Sequence, residues 1–182
     1  MTELITASTA GSETRRGLVA GAVASAIAII GGHFIYPASA PVTDAVPDRL
    51  TCYLPYLALV AAPIIVAVAK LALHRIAADD AIEGSEDGAD ATTRHLKSFL
   101  ETSTTQLVLA LILHFALLAT LPYAWLNIAP LMAIWWTLAR FTALFSDAEN
   151  RPVQAFAFAA TFIPAIAGAI AVPVLLVARA LA

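Results

Sequence analysis

The residues best suited to binding or catalysis are a few charged side chains at the edges of long apolar runs. Arg94, Ser98 and Glu101 are spaced i, i+4 and i+7, which places them on one face of a helix. Arg140 and Arg151 flank two later apolar runs. Because guanidinium groups hold carboxylates through paired hydrogen bonds, arginines gathered around Glu101 would suit an anionic ligand that also carries an amine. The alternative is that Glu101 pairs with Arg140 and only locks two helices together.

The other polar side chains within apolar runs give weaker signals. Cys52 is the only cysteine, so it cannot form an intramolecular disulfide, and no metal site is predicted. His33 and His114 are expected to be buried and to bond neighbouring helices, with a proton relay as the alternative for His114. Trp135 and Trp136 are expected to pack in the core with their N–H groups paired, the alternative being a wall for a lipid substrate.

The composition indicates the class of protein in which these residues are positioned. The chain has 182 residues, of which 60% are hydrophobic and 13% charged. Soluble proteins are typically about 45–50% apolar and about 25% charged. With a mean hydropathy of +0.83, the chain can be neither a soluble globule nor a disordered segment.

Uncharged runs predict how often the chain crosses a membrane. One crossing needs about 20 apolar residues. The run over residues 102–139 is too long for one crossing, and Pro122 with the neighbouring aromatics predicts a turn within residues 121–127. We therefore predict an all-α integral membrane helical bundle. Its five spans are expected at residues 17–36, 53–74, 97–120, 127–146 and 153–178.

The distribution of cations predicts the orientation of the bundle. Lys and Arg are retained on the cytoplasmic side. With the N-terminus in the cytoplasm, eight of the ten cations lie on that side: Arg15, Arg16, Lys70, Arg75, Arg94, Lys97, Arg140 and Arg151. An aromatic belt then lies at the outer interface, formed by Tyr36, Tyr53, Tyr56, Tyr123 and Trp125. We expect a multi-pass protein of the bacterial inner membrane, in contact with the lipid bilayer and with no nucleic-acid partner.

The segments outside the main spans also carry expectations. Residues 1–16 are predicted to be a cytoplasmic tail, and residues 75–96 an acidic, solvated cytoplasmic loop. The first span could be a twin-arginine signal peptide cleaved after residue 40, but its long apolar run favours a retained helix. Gly17, Gly21 and Ser25 recur every four residues, which predicts a face for close helix packing. Small-residue composition alone is the alternative.

Two stretches of the sequence resemble a known family. Arg94-His95-Leu96-Lys97-Ser98-Phe99-Leu100-Glu101 resembles the second-helix signature of the MAPEG family, the membrane-associated proteins of eicosanoid and glutathione metabolism. That signature is Arg, three residues, Asn, two residues, Glu. The stretches 139–145 and 155–162 are similar to the end of the family's third helix and the start of its fourth. The resemblance covers residues 53–180, and span 17–36 is an extra N-terminal helix.

The resemblance implies a fold, an assembly and an activity. The fold is a four-helix core that forms a homotrimer, with glutathione bound at subunit interfaces near the cytoplasmic face. The activity is that of a glutathione-dependent transferase or peroxidase acting on lipophilic electrophiles. By the resemblance, the glutathione ligands are Arg94, Ser98, Glu101 and Arg140, and Arg151 is the catalytic residue that stabilises the thiolate.

Two other functions stay open. A non-catalytic membrane scaffold with a degraded glutathione site is favoured by Ser98, which stands where the signature has Asn, and by Asp147, which stands where the family has Tyr. A transporter is the weaker alternative, because it would need an internal repeat of broken helices and the sequence shows none. Pro63, Pro164 and Pro173 are expected only to kink the second and fifth spans.

Overall fold

A computed structural model describes residues 2–36, 45–77 and 90–181, and of residues 2–10 the backbone alone. These ranges contain helices and turns and no strand. The helices are α1 (Thr2–Ala26), α2 (Gly32–Ile35), α3 (Val46–Leu59), α4 (Ala62–Ala77), α5 (Ala91–Thr120), α6 (Ile128–Phe145) and α7 (Arg151–Leu181). A π-helical turn, Ile27–Gly31, joins α1 to α2, and a 3-10 turn, Tyr123–Trp125, lies between α5 and α6.

Five helical segments are long and apolar enough to cross a membrane, as predicted. They are Gly11–Ile35, Val46–Ala77, Ala91–Thr120, Tyr123–Phe145 and Arg151–Leu181. The all-helical class and the turn after α5 are also confirmed.

The ends of the helices differ from the prediction in two places. α1 begins at Thr2, so residues 2–16 of the predicted tail 1–16 are helical. α4 continues to Ala77 and α5 starts at Ala91, so both helices extend into the predicted loop 75–96, of which residues 78–89 lie outside the described ranges. α5 starts early because the carboxylate of Asp90 accepts a hydrogen bond from the backbone N–H of Thr93 at 2.7 Å and caps the helix.

α1 packs against α7 through the predicted small-residue face. A Cβ atom on Gly17 would lie 2.2 Å from the carbonyl oxygen of Pro152, and one on Gly21 would lie 2.3 Å from that of Phe156. Both residues therefore have to be glycine for the two backbones to approach this closely. The contact points move in the same direction along α1 and α7, so the two helices are parallel. This direction is required of two membrane crossings that have three other crossings between them.

The two ends of the bundle differ in chemistry. We call the end where α5 and α7 begin and α6 ends the basic end, since it carries Arg94, Arg140 and Arg151. At the opposite end Tyr36 and Tyr56 approach to 3.3 Å between their hydroxyl oxygens. The core between them consists of apolar clusters, one of which packs Ala67, Leu96, Phe99, Ala143, Leu144 and Ala157 beneath the basic end.

Prolines interrupt the backbone hydrogen bonds of two spans, and side chains from other helices bond the carbonyl groups that lose their donors. The predicted kink before Pro63 is a break between α3 and α4. Because proline has no N–H, the carbonyl of Leu59 loses its helical donor. The hydroxyl of Thr137 in α6 lies 3.3 Å from this carbonyl and shares its proton between it and the carbonyl of Ala133, at 2.9 Å. α7 runs continuously through Pro164 and Pro173. Of these two spans, only the second is therefore broken at a proline.

Candidate functional site

A groove of about 540 Å³ opens at the basic end, where α5, α6 and α7 meet. We call it the basic groove. α5 contributes residues from successive turns at its start, and α7 contributes residues from its first two turns. The polar residues that line it are Arg94, His95, Ser98, Thr102, Arg140 and Gln154, and within residues 11–36, 45–77 and 90–181 no Asp or Glu belongs to the lining. The groove therefore suits an anionic ligand.

The structure brings three of the five predicted site residues together. Arg94, Ser98 and Arg140 line the basic groove. Glu101 is exposed on α5 and lies outside the lining, although its spacing predicts the same helical face as Arg94. Arg151 also lies outside the lining. Helical spacing places Ser98 and Glu101 on the same face of α5. That face is wider than the groove, so spacing alone does not show that only Ser98 lines it.

Arg140 is the most unusual residue of the groove. It is only 3% exposed although it carries a charge within a membrane-spanning helix. Its Nη2 donates to the side-chain oxygen of Gln106, and that oxygen also accepts from the hydroxyl of Thr161 at 2.8 Å. The guanidinium carbon lies 5.8 Å from the centre of the Trp136 ring. These contacts join α5, α6 and α7 beneath the groove.

Two buried nitrogen atoms of the groove have no hydrogen-bond partner within the described part of the chain. They are Nε of Arg140 and Nε2 of His95. The alternative pairing of Arg140 with Glu101 is not present among the described residues, since the guanidinium instead donates to Gln106. A buried charged group with an unused donor is costly unless an anion or another acceptor reaches it.

Arg151, the predicted catalytic residue, stands at the rim of the groove. It is the first residue of α7 and is exposed. Ala148 and Gln154, which lie on either side of it in the chain, both line the groove. Gln154 is held by its side-chain N–H, which donates to the hydroxyl of Ser146 at 2.7 Å. Asp147 is exposed and does not belong to the lining, so its charge is not directed into the groove.

The other polar residues have structural partners. Nδ1 of His33 lies 2.6 Å from the side-chain oxygen of Asn127, the residue directly before α6, so the predicted bond to another part of the bundle is present, although His33 is only partly buried. Nδ1 of His114 bonds the carbonyl of Ala110 in its own helix at 2.6 Å, and the buried ring also lies against the backbone of Ala129 in α6, the neighbouring helix, as predicted. A histidine can reach the carbonyl four residues back without leaving its helix, which sequence spacing does not reveal. Cys52 is a free thiol.

Trp135 has the hydrogen bonds predicted for a tryptophan in the core. Its indole N–H lies 2.9 Å from the hydroxyl of Ser25 and 3.0 Å from the carbonyl of Ala160. Sequence reasoning assigned no role to Gln106 or Thr161, which hold Arg140 in place. The available signal was the polar stretch 101–106 at the start of a span, which ends with Gln106, because a polar side chain at membrane depth needs a partner.

The described residues of one chain form a groove that can bind an anion, and they do not form an assembled catalytic centre. In the described part of the chain, no three His, Cys, Asp or Glu side chains gather as metal ligands. Comparisons of the chain with protein-family models, with curated proteins and with solved structures find no match. The functional inference therefore depends on the geometry of the basic groove.

Proposed function

We propose that the chain is a multi-pass, MAPEG-like membrane protein that binds glutathione in the basic groove with its N-terminus in the cytoplasm. One observation carries the proposal: Arg140 is buried, lines the groove and has an unpaired Nε. A ligand carboxylate would accept from this donor and offset the cost of burying the charge. Glutathione is present in the cytoplasm and carries two carboxylates.

The groove offers complementary groups for such a ligand. Arg94 and Arg140 supply two cations for two carboxylates, and Ser98, Thr102 and Gln154 supply hydrogen-bonding groups for the peptide units. Glu101 would be the partner of the ligand's ammonium group. Glu101 is exposed and lies outside the groove of its own copy. In the proposed homotrimer it would therefore make this contact with a ligand bound in the groove of a second copy.

The proposed chemistry is a glutathione-dependent transferase or peroxidase reaction on a lipophilic electrophile. Bound glutathione supplies a thiol, and its thiolate form is the nucleophile. Arg151 at the groove's rim is the cation proposed to favour that thiolate. Its exposed side chain leaves it free to turn toward a ligand seated between Ala148 and Gln154.

A non-catalytic scaffold is the second candidate function. It is favoured by the position of Arg151 outside the groove lining and by the close packing of α1 on α7, where two glycines contact backbone carbonyls. In this function the groove binds an anion without turnover, and Arg140 serves only to join three helices.

Activity assays on one protein preparation separate the two functions. Detergent-solubilised protein is given glutathione with chlorodinitrobenzene or with a lipid hydroperoxide, and Arg151→Ala is the test variant. The transferase proposal expects turnover that falls in Arg151→Ala while glutathione binding is retained. Binding without any turnover on either substrate supports the scaffold, and the absence of binding rejects the glutathione proposal for both.

A further inference from the structure

An apolar groove lies on the side of the bundle between α5 and α7. It has a volume of about 290 Å³, and all of its described lining residues are apolar. Ile112 and Ala116 line it on α5, and Ile166, Ala169 and Val172 line it on α7. Ile112 and Ile166 are exposed on helices that are long and apolar enough to cross a membrane, so the groove faces lipid. We call it the lateral groove.

The length of the lateral groove suits one acyl chain. Its lining residues on α7 extend from Phe162 to Val172, a distance of about 15 Å along the helix. This is about half of a hydrocarbon core of roughly 30 Å, so it corresponds to the acyl region of one leaflet. Because the described lining contains no polar side chain, an acyl chain can fill the groove without burying an unpaired polar side chain.

Arg179 lies beyond one end of the lateral groove. It follows Val172 by two helical turns, so both residues lie on the same face of α7. Its Nη1 donates to the carbonyl of Ala119 in α5 at 3.3 Å. Ala119 follows Ala116, which lines the groove, by about 4.5 Å along α5. The guanidinium group therefore lies where the two helices meet, about one turn of α5 beyond the groove.

Arg179 carries a charge that a lipid phosphate can reach. Of the ten Lys and Arg residues, all of which the structure describes, Arg49 and Arg179 alone lie at the end of the bundle where α5 ends. Arg49 is buried, whereas Arg179 is exposed. A guanidinium group has five N–H donors, so the bond to Ala119 leaves donors for a further acceptor. Its planar fork also matches the oxygens of a phosphate.

We propose that the lateral groove binds an anionic phospholipid, with one acyl chain in the groove and the phosphate on Arg179. The apolar lining and the cation follow each other along the helices in the same order as the acyl chain and the phosphate of a phospholipid. One cation near the membrane surface favours an anionic lipid over a zwitterionic one by about fivefold. This inference does not depend on glutathione, because the basic groove lies at the opposite end of the bundle.

Photolabelling of the full chain in nanodiscs tests the proposal. The probe is phosphatidylglycerol with a diazirine on one acyl chain, compared with phosphatidylcholine that carries the same group, and mass spectrometry maps the labelled peptides. We expect the label to concentrate on residues 109–116 and 162–172, and to be about fivefold stronger with phosphatidylglycerol at equal mole fraction. Label that is spread evenly over all lipid-facing helices, or equal labelling by the two lipids, would overturn the proposal. Absence of label from α5 and α7 would also overturn it, and would indicate that a second copy of the chain covers the groove.

Variants of Arg179 distinguish a bond to the lipid phosphate from a bond to the end of α5. Arg179→Gln keeps a donor for the carbonyl of Ala119 but loses the charge, so the two lipids should label it equally. Arg179→Lys keeps the charge and should keep the preference for phosphatidylglycerol. Arg16→Gln is the control, because Arg16 is an exposed cation on α1, at the basic end. An unchanged preference in Arg179→Gln, or an equal loss in Arg16→Gln, would overturn the assignment of the phosphate to Arg179.

A pair of substitutions on α7 tests the position of the acyl chain. Ala169 and Ala167 are both exposed, but only Ala169 lines the lateral groove. Ala169→Phe should fill the groove and abolish the concentration of label on residues 162–172 with both lipids. Ala167→Phe should label like the wild type. Labelling that Ala169→Phe leaves unchanged would contradict the placement of the chain in the groove.

Discussion

The hydroxyl oxygen of Ser25 in α1 lies 3.1 Å from the carbonyl oxygen of Ala160 in α7, across 135 positions of sequence. Its one proton is shared between this carbonyl and that of Gly21 in its own helix, at 2.7 Å. The Ala160 carbonyl would normally accept from residue 164, but residue 164 is a proline and has no N–H. Trp135 donates to the same carbonyl. The Ala160 carbonyl, which lacks a helical donor because of Pro164, therefore joins α1, α6 and α7 at one point. In this region water cannot replace the missing donor.

Replacing Ser25 by Ala should destabilise the bundle by about 1 kcal/mol, because the Ala160 carbonyl loses a shared donor and the indole N–H of Trp135 loses its Oγ acceptor. In a Pro164→Ala background the loss should be smaller, since the substitution restores the helical N–H at that position. Thermal unfolding of wild type, the two single variants and the double variant in one detergent gives the comparison. An equal cost of Ser25→Ala in both backgrounds would show that Pro164 does not create the need for Ser25.

Gly21→Ala should destabilise the packing of α1 on α7 by about 1–3 kcal/mol. Its Cβ would lie 2.3 Å from the backbone oxygen of Phe156 and 3.0 Å from the backbone nitrogen of Ala160, neither of which can turn aside. Gly31→Ala is the matched control, because nothing lies within 4 Å of a Cβ there. Thermal unfolding should separate the two variants, and similar stabilities would contradict the close approach of α1 and α7.

Arg49→Gln should cost about 1–3 kcal/mol of stability. Arg49 is 3% exposed and its Nη1 donates to the carbonyls of Leu118 and Leu121, at 2.9 and 2.8 Å, where α5 ends. A cation at this position also interacts favourably with the negative, C-terminal end of the α5 dipole. Arg179→Gln is the control, because Arg179 is exposed and its bond to the carbonyl of Ala119 is longer, at 3.3 Å. A larger loss in Arg179→Gln would contradict the assignment.

Asp90 should make the start of α5 sensitive to acid. The backbone N–H of Thr93, with help from His74, lowers the pKa of Asp90 from 3.8 to about 2. The stabilisation is therefore fully present above about pH 4 and is lost as the pH falls through about 2. Asp90→Asn keeps an oxygen for the cap but cannot titrate. The difference in stability between wild type and Asp90→Asn should shrink between pH 4 and pH 2, and a constant difference would refute this role.

Much of the fold follows from patterns that are local in sequence. Apolar runs and the placement of prolines predict five spans, the turn after α5 and the break before Pro63. The spacing of Gly17, Gly21 and Ser25 predicts a packing face, and the structure shows α7 against it. The helix boundaries were less accurate, because a cap such as Asp90 extends a helix into a polar segment that hydropathy assigns to a loop.

The site was less predictable because its decisive contacts join different helices. The sequence suggests Glu101 as the partner of Arg140, since the two charges are opposite. In the structure Gln106, one and a half turns further along α5, occupies that role, because Arg140 is directed inward beside Thr161. Which face of a helix looks inward depends on its rotation against its neighbours, and a single sequence does not contain that information.

Calorimetric titration of the solubilised protein with glutathione tests the central claim most directly. Arg94→Gln is the test variant, because Arg94 is exposed in the basic groove, and Lys97→Gln is its control, because Lys97 lies on the same helix outside the lining. The account predicts saturable binding that is at least about tenfold weaker in Arg94→Gln and unchanged in Lys97→Gln. Folded protein that shows no saturable heat at millimolar glutathione, or equal losses in both variants, would contradict it.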